Sequence, residues 1–246
     1  MGKRVALVYG VTVYALFGLT WAYFIGFVGD FVVPKSVDTG PVGSTVEALA
    51  IDLGLLALFF AHHSVMARAR AKRVLEWLLP PAVERSSYVL VSCLALALVM
   101  WQWRALPAVV WQLEGAARVA VLVVFGAGVV TSLVASHLLD GLELFGVRQV
   151  LAYFRGRAVP QAPLRLPGLY RLVRHPLMTG MIMTFWAAPM MSEGRLLLAV
   201  VMTGYIVLAV KLLEERDLRR TFGAEYERYQ REVPMLLPVK LPRRSS

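Results

Sequence analysis

The chain has 246 residues, 58% of them hydrophobic against 17% charged. A soluble domain of this size could not enclose so much apolar surface in one core, so the surplus faces lipid. The net charge of +10 does not make a nucleic-acid footprint, because Lys and Arg stand between apolar runs where membrane topology accounts for them. A single cysteine, Cys93, excludes a disulfide framework or a thiolate metal cluster within the chain.

In chain order, Lys3 and Arg4 precede an apolar run over 5–28 that contains no small-residue cleavage site, and this run reads as a retained first span. Further runs over 46–66, 87–103, 116–139, 177–191 and 196–213 approach the roughly 20 residues that cross a hydrocarbon core, and in lipid such runs close their backbone bonds as helices. The expected fold is therefore all-α, a polytopic membrane bundle of about six spans. The run 177–191 is short for a full crossing, and Ser192-Glu193-Gly194-Arg195 is a natural turn, so the last two runs form a tight hairpin that is tilted or partly re-entrant. Cys93, within an apolar run, is expected to serve packing.

Positive charge sets the orientation. Lys3, Arg4, Arg68, Arg70, Lys72, Arg73, Arg85, Arg148, Arg155, Arg157, Arg165, Arg171, Arg174 and the tail from Lys211 fall on one side, and Lys35, Arg104, Arg118 and Arg195 on the other. That asymmetry predicts both termini in the cytoplasm, in a cell inner membrane. The stretches 34–43 and 107–115 become outer loops, with Trp101, Trp103 and Trp111 in the interfacial belt and Glu47 and Asp52 as helix-end groups. The loop 141–174 carries Leu144, Phe145, Val147, Val150, Leu151 and Phe154 near helical spacing, which predicts an amphipathic helix on the inner interface. Beyond 213, Leu218, Phe222, Tyr226 and Tyr229 form one stripe of a cytoplasmic helix that ends at Pro234. Two regions result: a four-span bundle over 1–140 and a ligand-holding region over 141–246.

All four histidines fall near the cytoplasmic ends of spans: His62, His63, His137 and His175. Ionisable groups at that depth are functional candidates, although His62, His63 and His137 taken singly also read as interfacial residues satisfied by carbonyls. His175 has the more telling neighbours. Pro176 fits the first turn of a helix whose start offers N–H groups and a positive dipole, and Arg174 and His175 beside it make a corner for a carboxylate or phosphate. At the other arm of the hairpin, Glu214 and Glu215 leave the membrane together. They can receive ribose hydroxyls or a cationic ligand, while Glu215 with Arg219 at i, i+4 also suits a solvated helix face. Because a hairpin brings its ends together, the cationic and acidic corners are expected to be neighbours.

These residues carry a resemblance. Arg174-His175-Pro176, Glu214-Glu215-Arg216-Asp217-Leu218, Phe222-Gly223, Tyr226, Tyr229 and Val233-Pro234 resemble the carboxy-terminal half of the isoprenylcysteine carboxyl methyltransferase superfamily. Upstream, Ala61-His62-His63-Ser64-Val65-Met66-Ala67-Arg68, Glu84-Arg85-Ser86, Trp101-Gln102-Trp103-Arg104 and Leu144-Phe145-Gly146-Val147-Arg148-Gln149-Val150 look like its methanethiol S-methyltransferase branch. The resemblance covers most of the chain. It implies S-adenosylmethionine as cofactor and a small thiol as substrate, with Tyr170, Arg174, His175, Pro176, Leu177, Met178 and Glu214 lining the cofactor site and no metal. Prenyl-protein enzymes carry an arginine for the substrate carboxylate where this chain has Val210, which favours a small neutral or thiolate substrate. Two positions depart from the pattern: Met178 stands where the family commonly has Tyr, and Asp140-Gly141-Leu142-Glu143 replaces Asn-His-Phe-Asp.

Methyl transfer from a sulfonium is an in-line displacement, so positioning supplies most of the acceleration. The thiolate is the competent form, and His63, or Glu215 through water, is the expected base. Two other classes compete with this reading. One is an electron-transfer haem protein using His62 or His63 against His137, and the other a membrane reductase of the sterol type, which shares Arg-His-Pro but requires NADPH.

Overall fold

A computed structural model describes residues 1–66, 79–158 and 166–238, and among these helices dominate. The cations Arg68, Arg70, Lys72, Arg73 and Arg165 lie outside the described residues, so their part in the charge asymmetry rests on sequence alone. Helices α1 (Lys3–Gly29), α2 (Thr45–Met66), α3 (Pro81–Gln102) and α4 (Gly115–Leu138) are each long and apolar enough to cross a membrane. A fifth such helix runs over Glu193–Phe222. Short elements fill the rest: β1 (Val109–Gln112), α5 (Gly141–Leu144), α6 (Val147–Arg155), a 3-10 turn (Gly168–Arg171), α7 (Pro176–Trp186) and β2 (Met190–Ser192). The long final helix divides into α8 (Glu193–Ala209), a π-helical segment (Val210–Glu214) and α9 (Glu215–Phe222), and α10 (Ala224–Glu232) follows it.

The chain forms two compact units that interleave along the sequence. The first comprises residues 1–112, 140–161 and 190–197, and the second 113–139, 162–189 and 198–246.

In the first unit α3 packs against both α1 and α2, and α6 lies across α1 and α3. Ala6, Val83 and Val150 form one buried cluster, and Val13, Val89 and Cys93 another, so Cys93 is indeed a packing residue. Gly10 explains how α6 docks: a Cβ built there would stand 2.8 Å from Val150 Cγ1, so only glycine leaves the notch that Val150 fills. The amphipathic helix foreseen in this region thus buries its apolar face against protein as well as offering Phe154, which is exposed, to its surroundings. Two motifs noticed separately in the sequence are one contact here. Arg85 Nε donates to Leu144 O at 2.8 Å, Phe145 stacks on Phe17 with centroids 3.9 Å apart, and Gly146 adopts φ 89° beside Ser86, where a Cβ would meet Ser86 N at 2.8 Å.

Two expectations need correction. Trp103 is fully buried rather than interfacial, edge-on to Phe27 and donating Nε1 to Val37 O at 3.1 Å, whereas Trp101 is exposed as expected. Asp52 is also fully buried, accepting from Arg104 N at 2.9 Å, so it ties α2 to the exit of α3 instead of facing the interface. At the same end of this unit Arg195 pairs with Asp38, Ser192 donates to Asp38, and β2 pairs antiparallel with β1. The turn after α7 is fixed by these contacts.

In the second unit α7 packs along α4 at very short range. A Cβ on Gly128 would lie 2.7 Å from Gly180 O, and one on Gly180 would lie 2.7 Å from Ser132 N, so paired glycines let the two backbones touch. With 11 residues α7 is only about 16 Å long at roughly 1.5 Å per residue, too short to cross by itself. Its extended continuation makes up the height: Ser132, in the last third of α4, donates to Leu177 O, and Leu113 N, just before α4, donates to Pro189 O. The 177–191 run therefore matches most of the length of α4 by joining a short helix to an extended segment.

Candidate active site

The site is built where α7 begins and the π segment gives way to α9, all within the second unit. Pro176 occupies the first helical position of α7, where its missing N–H costs no bond, and His175 is the preceding cap residue. The backbone ahead of the helix is held by the tail: Arg174 N donates to Pro234 O at 2.8 Å, and His175 N to Met235 O at 3.1 Å. Thr179 Oγ1 adds a bond to Leu236 O at 2.7 Å. Pro234, the helix stop read in the sequence, thus begins a strap across the start of α7.

The cationic and acidic corners meet. Arg174 donates Nε to Glu215 Oε1 at 2.7 Å with Nη2 2.6 Å from the same oxygen, and both side chains are about nine-tenths buried, at 11% and 8% exposure. Nη1 of Arg174 donates to Gln230 O at 3.0 Å and to Val233 O. His175 lies between the two acids, with Nδ1 3.4 Å from Glu214 Oε1 and Nε2 3.4 Å from Glu215 Oε1. Burial pulls the imidazole pKa down, but hydrogen bonds to Glu214 and then Glu215 outweigh it and push it up to about 9. At neutral pH His175 is therefore an imidazolium, a donor and not a proton acceptor. The two adjacent acids diverge: Glu215 is enclosed by its cations, whereas the Glu214 side chain is 46% exposed and can receive a ligand. The i, i+4 pairing of Glu215 with Arg219 is not what this geometry uses.

Aromatic residues complete the wall. Tyr170 is buried, donates its hydroxyl to Ala135 O at 3.3 Å and accepts at its carbonyl from Tyr229 OH at 2.5 Å. Burial raises the pKa of both phenols, that of Tyr229 to about 12, so they stay protonated donors. Tyr226 is 1% exposed, and its hydroxyl has no partner among the described residues. The sequence placed Tyr226 and Tyr229 on a buried stripe but gave no sign that Tyr229 would bond to Tyr170 or that the carbonyls of residues 230 and 233 would clamp Arg174.

Beside this network opens a pocket of about 820 Å³, bounded by Leu138 and Pro167, by Tyr229 and Val233, and by Arg171 and Glu232. Its volume falls in the range of small-molecule sites, roughly 300–1,000 Å³. Leu177 and Met178 are half-buried on the first turn of α7. Val210, at the position of the prenyl-enzyme arginine, is 1% exposed and opens the π segment.

His63, the other expected base, belongs to the first unit. Its Nδ1 lies 2.9 Å from Tyr88 OH, and its ring stacks on Phe59, while His62 Nε2 lies 3.3 Å from Ser92 Oγ. His137 is exposed near the end of α4 in the second unit.

Comparison with known proteins gives this geometry a context. The family model described as "NnrU protein" matches residues 53–239. The chain is 45% identical over 238 residues to "Methanethiol S-methyltransferase 2" of Bradyrhizobium diazoefficiens, covering 97% of this chain and 92% of that protein. It is 44% identical over 239 residues to "Methanethiol S-methyltransferase" of Mycobacterium tuberculosis, covering 97% and 98% respectively. A more distant similarity, 37% over 188 residues and 72% of this chain, is to "Nurim" of Homo sapiens. No solved structure matches.

Proposed function

Taking as premise that this chain belongs to the NnrU family, we propose that it is an S-adenosylmethionine-dependent thiol S-methyltransferase of the membrane, with methanethiol as substrate and dimethyl sulfide as product. Similarity along nearly the whole chain to proteins bearing that name supports the reaction class. The observation that carries the site is the convergence of Arg174, His175, Glu214 and Glu215 within 3.4 Å contacts; the open pocket borders this network through Val233 and Tyr229, and none of the expected cofactor residues lines it. The donor set fits such a cofactor: an accessible carboxylate on Glu214 for ribose hydroxyls, and tyrosine faces and apolar walls for a nucleoside and a sulfonium. Pro176, Leu177 and Met178 on the first turn of α7, with Tyr170, complete the set.

When bound, S-adenosylmethionine supplies an electrophilic methyl group, and the chain has to align a sulfur nucleophile with it and exclude water. Arg174 and Glu215 neutralise one another and hold the first turn of α7 against the tail, so Glu215 acts as a positioning residue. His175, charged at neutral pH, keeps Glu214 oriented. Neither Arg174 nor His175 takes a proton from the thiol. His63, the base expected from the sequence, belongs to the other unit, where its ring is held by Tyr88 and Phe59, and its role in that step rests on the sequence reading. A small apolar thiol can approach through lipid while the charged cofactor arrives from the aqueous side, and the charge asymmetry makes that side the cytoplasm, with both termini there.

Membranes containing the chain, incubated with S-adenosylmethionine and a panel of thiols, should release methyl sulfides into the headspace, with methanethiol the best acceptor. Absence of any methyl sulfide from membranes that bind the cofactor would overturn the assignment. A Soret band, or oxidation of NADPH, would instead revive the haem or reductase readings.

A further inference from the structure

The network that the sequence marks as an anion corner is already committed. Arg174 directs Nε and Nη2 at Glu215 and Nη1 at two main-chain carbonyls, and His175 faces Glu214 and Glu215. The four charges sum to zero. A ligand's carboxylate must find its partner elsewhere, because displacing Glu215 from Arg174 would leave a buried charge alone, and once the accessible Glu214 is engaged by ribose hydroxyls an ammonium needs a second acid.

The pocket beside the network offers that pair. Arg171 closes the 3-10 turn and Glu232 closes α10, both line the pocket, and both are exposed. Neither forms an ion pair or side-chain hydrogen bond with the described residues. The remaining lining, Leu138, Leu166, Pro167, Val233 and the Tyr229 ring, is apolar or aromatic and cannot compensate a zwitterion. We propose that Arg171 and Glu232 form the subsite for an α-amino acid, Arg171 taking the carboxylate and Glu232 the ammonium, and so hold the methionine end of the methyl donor. This rests on the donor being S-adenosylmethionine. Arg is suited to the first role because its fork matches a carboxylate bidentately. It leaves Glu214, the accessible acid of the network, for the ribose.

The test is calorimetric titration of the full-length chain in detergent with three ligands: S-adenosylhomocysteine, decarboxylated S-adenosylmethionine and 5′-methylthioadenosine, which lacks the amino acid altogether. Arg171→Gln is expected to weaken S-adenosylhomocysteine at least about tenfold, with both other ligands unchanged and partial recovery in Arg171→Lys. Glu232→Gln should weaken S-adenosylhomocysteine and the decarboxylated donor and spare 5′-methylthioadenosine. Equal losses for all three ligands, or no loss for any, would refute the subsite. If the unmodified chain binds none of them, the donor reading itself fails, and the subsite with it.

Discussion

Glu215→Leu is the sharpest probe of the network, because the side chain holds two cations on one oxygen. Its Oε1 lies 2.7 Å from Arg174 Nε, 2.6 Å from Nη2 and 3.4 Å from His175 Nε2, in surroundings where the three side chains are 4–11% exposed. Removing one partner of a buried pair costs about 3–5 kcal/mol, since the other charge is left unpaired. Arg174→Met carries the same cost and also orphans the Gln230 and Val233 carbonyls, adding about 1–3 kcal/mol for each that stays dry. The double variant Arg174→Met, Glu215→Leu leaves neither charge alone, so it should be more stable than Arg174→Met by itself. Unfolding of the four proteins in detergent, followed by tryptophan fluorescence against denaturant, gives the coupling energy. We expect about 2 kcal/mol or more, with the arginine variant the least stable of the four. Additive single losses, or singles within about 0.5 kcal/mol of the parent, would refute the claim that this pair organises the site.

Four further outcomes follow from the same contacts. His175 contributes stability that is fully present below its unfolded pKa near 6.5 and lost as pH rises through about 9, a span worth roughly 3 kcal/mol; a pH series should show this loss in the parent and not in His175→Gln. Tyr226→Phe removes a buried hydroxyl without a described partner, so the ligand-free protein should be as stable or slightly more stable by denaturant titration, and any loss of S-adenosylhomocysteine affinity would mean that the hydroxyl serves the ligand. Gly180→Ala should cost about 1–3 kcal/mol because its Cβ meets the α4 backbone, whereas Gly126→Ala, with nothing within 4 Å, should be neutral or stabilising by up to about 1 kcal/mol in the same unfolding assay. His63→Gln should lower turnover at neutral pH and recover toward the parent in alkaline buffer, where the thiol ionises unaided; a uniform loss at every pH would remove His63 as the base.

The parts of the molecule that could be read from the sequence are those that local rules govern. Apolar runs gave α1, α2 and α4 nearly at their observed bounds and the end of α3, whose start lies six residues earlier at Pro81, and Pro176 and Pro234 punctuated α7 and α10 where their ring chemistry requires. Arg174 and Glu215 meet as expected, although the close packing of α7 is along α4 and not along α8 as a tight hairpin would have it. What local rules could not supply were contacts between distant residues that share no periodicity. Trp103 belongs to an aromatic set that suits an interface, and only the Phe27 ring and the Val37 carbonyl make its position an interior one. Asp52 looks like a helix-end acid until the Arg104 amide, far along the chain, is seen to bond it. Nor did apolarity reveal that the 177–191 run would end as a helix at Trp186, since the extended segment after it depends on pairing with β1 and on Leu113.

The divergence of Glu214 and Glu215 has its own local cause. Successive residues of an α-helix project about 100° apart, so two adjacent acids leave the helix in different directions. Here the break falls between them: Glu214 ends the π segment and Glu215 begins α9. A π turn inserts backbone without interrupting the helix and shifts the face that every later residue presents. It opens at Val210, which is buried, and closes at Glu214, which is nearly half exposed, so the wider turn spans the change from packing to site. His175 fits between the two carboxylates, 3.4 Å from each. The same insertion sets the direction of α9 and, through Gly223 at φ 53°, of α10, whose last residues clamp Arg174 and carry Glu232 to the pocket. One irregular turn in an otherwise apolar span therefore joins the exposed acid, the buried acid and the helix that leads to the far wall of the pocket.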